Sequence, residues 1–397
     1  MKLTKKLFMS LIIAITMLLS ISLLPSFAEG SWDTVSTMPT ERINLGVEIV
    51  NGKIYAIGGS NTNGDLDTVE EYDPETNTWE MRASMPTNRY AFEVATVKRK
   101  IYAIGGFNSI GDLNTVEEYD PETNTWETRA SMPTNRYAFE VATVNEKIYA
   151  IGGFNSTFEY KNTVEEYDPE TDMWETKTSM PTNRYAFEVV TVNGKIYAIG
   201  GYRYNNIIAK FLDTVEEYDP ETDTWETKTS MPTNRYGLEV VTVNGKIYAI
   251  GGYNNNGEYL DTVEEYNPET NTWETKTSMP TNRYAFEVVK SNGKIYVIGG
   301  FNNVGEYLDT VEEYDPKTNR WETKTSIPTN RYAFEVVATD GKIYTIGGIN
   351  GVNSYVNSVE AYTLAYEPVK TNPTKLLANS RGSLLTLIPG EVNRCCV

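Results

Sequence analysis

Histidine is absent from all 397 residues, and the only cysteines are Cys395 and Cys396. Without histidine there is no Ser-His-Asp or Cys-His catalysis, and the commonest general base and transition-metal ligand is missing. Two adjacent thiols near the C-terminus neither staple the body of the chain nor make a zinc site. Basic residues are scarce: 35 Lys and Arg face 54 Asp and Glu, for a formal net charge of −19. A basic patch for nucleic acid or an anionic membrane is not expected on such a chain. Long apolar runs are lacking after the first, which extends from Leu7 to Leu24 with only Ser and Thr as polar residues. Lys2, Lys5 and Lys6 precede it, and Pro25 and Ser26-Phe27-Ala28 follow, with small residues at −3 and −1 of a cleavage point after Ala28. That is the pattern of a secretory signal peptide over residues 1–28. Its removal takes away three lysines and moves the net charge from −19 to −22. The mature chain is then expected to lack an integral membrane span and to be secreted or held at the cell surface.

What is present is periodic. Gly-Gly pairs begin at Gly58, Gly105, Gly152, Gly200, Gly251, Gly299 and Gly347. Tryptophans stand at Trp32, Trp79, Trp126, Trp174, Trp225, Trp273 and Trp321, at steps of 47, 47, 48, 51, 48 and 48 residues. Self-similarity at this period is a repeat architecture, so one fold absorbs the whole length.

One unit places four strands. Tyr185 to Val192 is rich in β-branched and aromatic residues and reads as strand A. Asn193-Gly194 is a two-residue hairpin turn, because both positions tolerate φ > 0. Lys195 to Ile199 is strand B and ends on Gly200-Gly201, where the backbone needs positive φ or close approach. Thr214 to Tyr218 is strand C, Asp219-Pro220-Glu221-Thr222 is turn chemistry, and strand D carries Trp225. Two units replace the A–B turn by Lys98-Arg99 and Asn145-Glu146, hairpins expected to be less comfortable.

The strand-A arginine, Ile-Tyr-Ala-Ile-Gly-Gly, Tyr-Asp-Pro and the strand-D tryptophan recur in this order over residues 31 to 362. This resembles the kelch repeat. The resemblance implies an all-β fold: a seven-bladed kelch β-propeller with four antiparallel strands per blade around a central channel. Seven A-B-C sets open at Arg42, Arg89, Arg136, Arg184, Arg235, Arg283 and Arg331, but the last has no tryptophan after it. Trp32 has no set before it, so the N-terminal strand around Trp32 is expected to complete the seventh blade. Residues 363–397 read as a linker and tail of unknown structure.

In this topology the A–B and C–D turns share one face, and the B–C loops and D–A connections share the other. The B–C loops vary, with 8, 8, 9, 12, 9, 9 and 9 residues. Variable loops on a rigid scaffold are where binding resides. The longest, 202–213, carries Tyr202, Arg203, Tyr204, Lys210 and Phe211, and other loops hold Tyr160, Tyr259, Tyr307 and Tyr355. These nine are the candidate ligand-binding residues, since tyrosine with asparagine makes adaptable recognition surfaces. For the aromatics directly after Gly-Gly (Phe107, Phe154, Tyr253, Phe301) packing between blades is the favoured role.

Each strand-A arginine from Arg89 onward precedes a glutamate by four: Glu93, Glu140, Glu188, Glu239, Glu287 and Glu335, with Gly46 in that slot in the first unit. Period two puts Arg and Glu on one face. A structural network between neighbouring blades, a site for a hard cation and a catalytic pair are all open, the first favoured by the sixfold repetition. No catalytic, metal or cofactor residue is assigned. The expected function is a non-catalytic, monomeric extracellular binding module for a protein, peptide or glycan. The alternative is a sugar-active enzyme of the mutarotase type resembling N-acetylneuraminate epimerase, with glutamate as general base.

Overall fold

The structure, a computed structural model, describes residues 30–364 apart from 158 and 205–208, so the expected signal peptide over 1–28 and the tail with Cys395 and Cys396 lie outside the described residues. Seven four-stranded antiparallel sheets follow one another among the described residues, each in the order A-B-C-D. In blade 4 these are Glu188–Val192, Lys195–Ile199, Val215–Asp219 and Thr224–Thr227. Blades are numbered here by their leading arginine, from Arg42 (blade 1) to Arg331 (blade 7). The seventh sheet takes its outer strand from the other end of the chain, where Trp32–Thr34 pairs with Val359–Thr363 and sets Trp32 opposite Tyr362.

Strand A is shorter than the sequence suggests. It begins at Glu188, not Tyr185, because Ala186 adopts φ 47° and breaks the strand between them. The same kink recurs at Asn44, Ala91, Ala138, Gly237, Ala285 and Ala333, with φ between 47° and 56°. Left-handed alanine costs about 1 kcal/mol each, so packing must hold it there. The two unusual A–B turns keep the hairpin geometry without glycine: Lys98 and Arg99 have φ 50° and 67°, Asn145 and Glu146 φ 50° and 63°.

Apolar side chains meet between blades, not in one centre. Each cluster draws from two neighbours, as where Tyr72 and Ile54 of blade 1 pack with Tyr344 and Val359 of blade 7. Every tryptophan indole donates a 2.8 Å hydrogen bond to a carbonyl of the preceding blade, including Trp32 to Thr325 across the closure. The Gly-Gly pairs supply the close approach on the other side. The Gly348 amide donates to the Arg42 carbonyl at 3.0 Å, and a Cβ on Gly347 would lie 2.6 Å from that oxygen.

The leading arginines do not pair with the strand-A glutamates four residues on, nor do they bridge blades. The left-handed residue between them destroys the alternation that would have put both on one face. Instead each arginine is buried and pairs with the glutamate of strand C in its own blade: Arg42–Glu70, Arg89–Glu117, Arg136–Glu165, Arg184–Glu216, Arg235–Glu264, Arg283–Glu312 and Arg331–Glu360, at 2.7–3.0 Å. The guanidinium also donates to the Gly-Gly carbonyl and to the residue opening strand C, as Arg184 does to Gly200 and Thr214. It is a structural brace that ties the D–A connection to the B–C loop.

Removing one partner of a buried pair strands the other charge, at a cost of about 3–5 kcal/mol. Arg184→Met is therefore expected to lose that much in urea unfolding, while Arg184→Met with Glu216→Leu recovers most of it. A single variant costing under about 1 kcal/mol would refute the brace.

Candidate functional site

The residue after each leading arginine, a tyrosine in all blades but the first, exchanges two backbone hydrogen bonds with the first residue of its own B–C loop. Tyr185 and Tyr202 do so at 3.2 and 2.9 Å. This short ladder carries the A–B hairpin past Gly-Gly and sets two side chains on the B–C face. Their rings form an unbroken series across six blades. Tyr90, Phe107, Tyr137, Phe154, Tyr185 and Tyr202 follow one another at centroid distances of 5.7, 5.3, 4.2, 5.0 and 5.2 Å. Tyr202 reaches Tyr236 at 6.3 Å, and Tyr236, Tyr284, Phe301 and Tyr332 continue at 5.6, 5.5 and 6.1 Å. All are half-buried. The arc opens at blade 1, where Ile43 bridges Ser60.

The arc is densest over blades 4 to 6. The loop 202–213 rises as a ribbon of Tyr202–Tyr204 against Ala209–Phe211, with Arg203 opposite Lys210. Phe211 stacks on Tyr236 at 5.1 Å and 17°, and its backbone is tied to Asn255 of the next blade in both directions. Gly237 replaces the kink alanine here. A Cβ on it would lie 2.3 Å from the Tyr284 ring, so glycine alone admits Tyr284 against Tyr236, with the hydroxyls 2.6 Å apart.

Of the nine sequence candidates, Tyr202, Phe211, Tyr160, Tyr259 and Tyr307 join the arc. Tyr160 lies 5.3 Å from Tyr185, Tyr259 6.1 Å from Tyr284, and Tyr307 5.1 Å from Tyr332. Arg203 and Lys210 are exposed on the ribbon, and Lys210 has Asp213 3.9 Å away. Tyr204 lies on the ribbon by its backbone. Tyr355 bridges Ile349 and makes no ring contact with the arc. The post-Gly-Gly aromatics do pack between blades, as expected; Phe107, Phe154 and Phe301 are part of the half-buried arc, and Tyr253 packs against Phe211 and Tyr259 beside it.

The six tyrosines after the arginines were passed over as strand. The signal was the Ala slot behind them, which holds Asn44 and Gly237 in two units, both at ease with positive φ.

Below the arc, the strand-A glutamates face the channel. Burial first, and repulsion between them second, push Glu93 and Glu335 up to about 8. Glu140, Glu188, Glu239 and Glu287 are raised well above the usual range for the same two reasons. The fields that act on Glu188 come from Glu239 beside it and from Glu93 and Glu335 of other blades. The gap left by Gly46 is filled: Glu48, two residues on and so on the same face, acts on both Glu93 and Glu335. No three Asp, Glu, Cys or His side chains among the described residues stand close enough to hold a metal ion.

These carboxyls hold protons more tightly folded than unfolded. Their contribution is complete below their unfolded value near 4.5 and is lost as pH rises through the folded values, about 8 for Glu93 and Glu335. The unfolding temperature is expected to fall between pH 5 and pH 9 in calorimetry, and Glu93→Gln with Glu335→Gln to flatten that slope. An unchanged slope would show that the channel is solvated like bulk water.

The Attractin/LZTR1 beta-propeller family matches residues 54–256 and 196–385. Kelch-like protein 5 of Homo sapiens is 40% identical over 50 residues, 13% of this chain and 7% of its own length. Kelch-like protein 40 of Xenopus tropicalis is 44% identical over 50 residues, 12% of this chain and 8% of its own. The chain thus spans less than a tenth of these relatives. Among solved structures, YjhT has a TM-score of 0.58 at 18% identity, covering 74% of this chain and all of its own. A fungal alcohol oxidase of the AA5 family, in complex with copper, has 0.67 at 16% identity, covering 84% of this chain and 76% of its own. At these identities the likeness is one of fold.

Proposed function

The chain belongs to the Attractin/LZTR1 β-propeller family of kelch-repeat propellers, and we propose that it is a non-catalytic extracellular interaction module that reads its partner on the B–C face. The observation that carries this is the aromatic arc: half-buried rings in contact across six blades, densest where the longest loop and Gly237 coincide. Aromatic surface of this kind supplies binding energy at low entropic cost. Three of the most exposed large apolar residues, Ile110, Val304 and Val352, sit in B–C loops of the same face, at 86%, 72% and 78% exposure. Exposed apolar tips around an aromatic patch favour a polypeptide partner over a glycan. The N-terminal segment, with its basic start and small-residue cleavage point, supports secretion. Copper chemistry like that of the AA5 relative has no histidine to draw on here.

One observation favours the enzyme reading. Carboxyls held near 8 are tuned for proton transfer at neutral pH. Repetition argues against it, since Glu93, Glu140, Glu188, Glu239, Glu287 and Glu335 open the same strand in six successive blades. Anomerisation of sialic acid and hexoses should proceed at the buffer rate; a rate lost in Glu93→Gln would establish the enzyme instead.

For the binding role, the ribbon 203–210 is replaced by a short Gly-Ser turn in one variant and Gly237 by Ala in another. The first removes the ribbon's contacts, and the second forces Tyr284 away from Tyr236 without demanding a new backbone conformation, since alanine already takes this φ in five blades. Partner capture by the immobilised chain is expected to fall at least tenfold for both, with Glu146→Gly on the opposite face unaffected. Undiminished capture by both B–C variants would move the site elsewhere.

A further inference from the structure

The channel below the arc lacks a counter-charge. Seven carboxylates face it: Glu48, Glu93, Glu140, Glu188, Glu239, Glu287 and Glu335. No side-chain hydrogen bond or ion pair to any of the seven is present among the described contacts, and the buried Thr96 hydroxyl near Glu48 is itself without a partner. The seven innermost strands contribute one basic side chain, Lys290, and it lies at the far end of its strand beside the A–B turn Asn292-Gly293. Six of the glutamates instead open their strands, three residues after the arc tyrosines, as Glu188 follows Tyr185, and Glu48 stands two residues further along its own strand. Anionic charge and aromatic faces therefore meet at one mouth.

With no built-in cation, protons neutralise the ring, which is why burial and mutual repulsion hold these carboxyls high. An incoming cation would take over that role. A metal ion is a poor fit, because no three ligands converge and hard cations demand convergent oxygens. A weakly hydrated organic cation suits better, since aromatic faces attract it through their quadrupole and its charge would replace the protons that the ring otherwise holds. The exposed cations of this face do not oppose it. Arg203 and Lys210 alternate with Tyr202 and Phe211 along the ribbon and so face away from the arc.

Building on the binding role argued above, we propose that the channel mouth on the B–C face is a receptor for an alkylammonium group, with the charge set over the glutamate ring and the alkyl chain against Tyr185, Tyr236 and Tyr284. For a polypeptide partner the group is a lysine side chain.

The test is an NMR titration of residues 29–397 with N-acetyl-lysine methylamide, its uncharged counterpart N-acetyl-norleucine methylamide, and choline. The lysine amide is expected to bind at least tenfold more tightly than the norleucine amide. Glu188→Gln with Glu239→Gln should erase that preference. Tyr236→Leu should weaken binding about tenfold, with Tyr236→Phe near wild type. The Gln pair keeps shape and relieves repulsion, so loss of folding is not a concern for it. Equal binding of the lysine and norleucine amides, or a preference that survives the Gln pair, overturns the proposal. Choline binding tenfold above the lysine amide supports the ammonium site and overturns lysine as its source. The two readings fail separately. Loss of partner capture in the Gly237→Ala and ribbon variants, with no ammonium preference, sinks the receptor and leaves the binding face standing. Unchanged capture in those variants sinks the binding face itself.

Discussion

A blade of this chain cannot stand alone, because each tryptophan spends its one hydrogen bond on its neighbour. The indole of strand D reaches the preceding blade, and apolar clusters fill the space between adjacent sheets. Stability in such an array is a sum of unit and interface terms, and an open array always leaves two end faces uncovered, one interface short. Here the last one is made by joining chain ends. Trp32 donates to Thr325 of blade 6, packs at a tilt 5.2 Å from Tyr362 of blade 7, and blade 7 meets blade 1 through Gly348 and Arg42. The closing strand is also the least fastened. Where other blades set Glu on strand C between cations, blade 7 has Ala361, and Val35 stands where other D strands carry Lys or Arg.

Two sets of glutamates with different fates follow from one backbone kink. The left-handed residue after each tyrosine turns the arginine inward to strand C and leaves the strand-A glutamate facing the channel. Strand-C glutamates are matched and buried, and they serve architecture. Strand-A glutamates are unmatched and share a confined volume, so their charge is unfavourable until something neutralises it. Clustered, uncompensated carboxyls are a feature of functional sites more than of scaffolds.

Much of the fold was legible. Strand B ends where it was placed, because Lys195 to Ile199 is bounded by Asn-Gly and Gly-Gly, which fix both ends. Blade count followed from the unmatched Trp32 and the unmatched final A-B-C set. The arginine partner was not legible, because period-two reasoning assumes an unbroken strand and alanine at positive φ has no sequence signature. Nor was Glu48, since a gap at Gly46 conceals a carboxyl arriving two residues later from the same face. Of the site, the B–C face and the ribbon 202–213 followed from loop length alone. The tyrosines of the arc were missed because they were absorbed into strand A. The side chain of Tyr355 stands apart from the arc because blade 7 puts Ile349 in the slot that carries the bridging aromatic elsewhere.

Near-identical units generate a symmetric arc, yet recognition of one partner requires asymmetry. The departures from the repeat therefore carry more information than the repeat itself. On the B–C face they converge. The 12-residue loop belongs to blade 4, the only glycine in the kink series is Gly237 of blade 5, and the residue it admits, Tyr284, is in blade 6. Each departure alters one neighbour of Tyr236: Phe211 stacks on it from the ribbon, and Tyr284 meets it hydroxyl to hydroxyl. Two departures in successive blades, the long loop and Gly237, act on one ring. Drift would scatter such changes around the wheel, whereas selection for a single contact point would gather them. On the A–B face, by contrast, the departing turns of blades 2 and 3 meet only in an exposed ion pair, Lys98 with Glu146 at 3.1 Å, with Arg99 and Glu146 at positive φ.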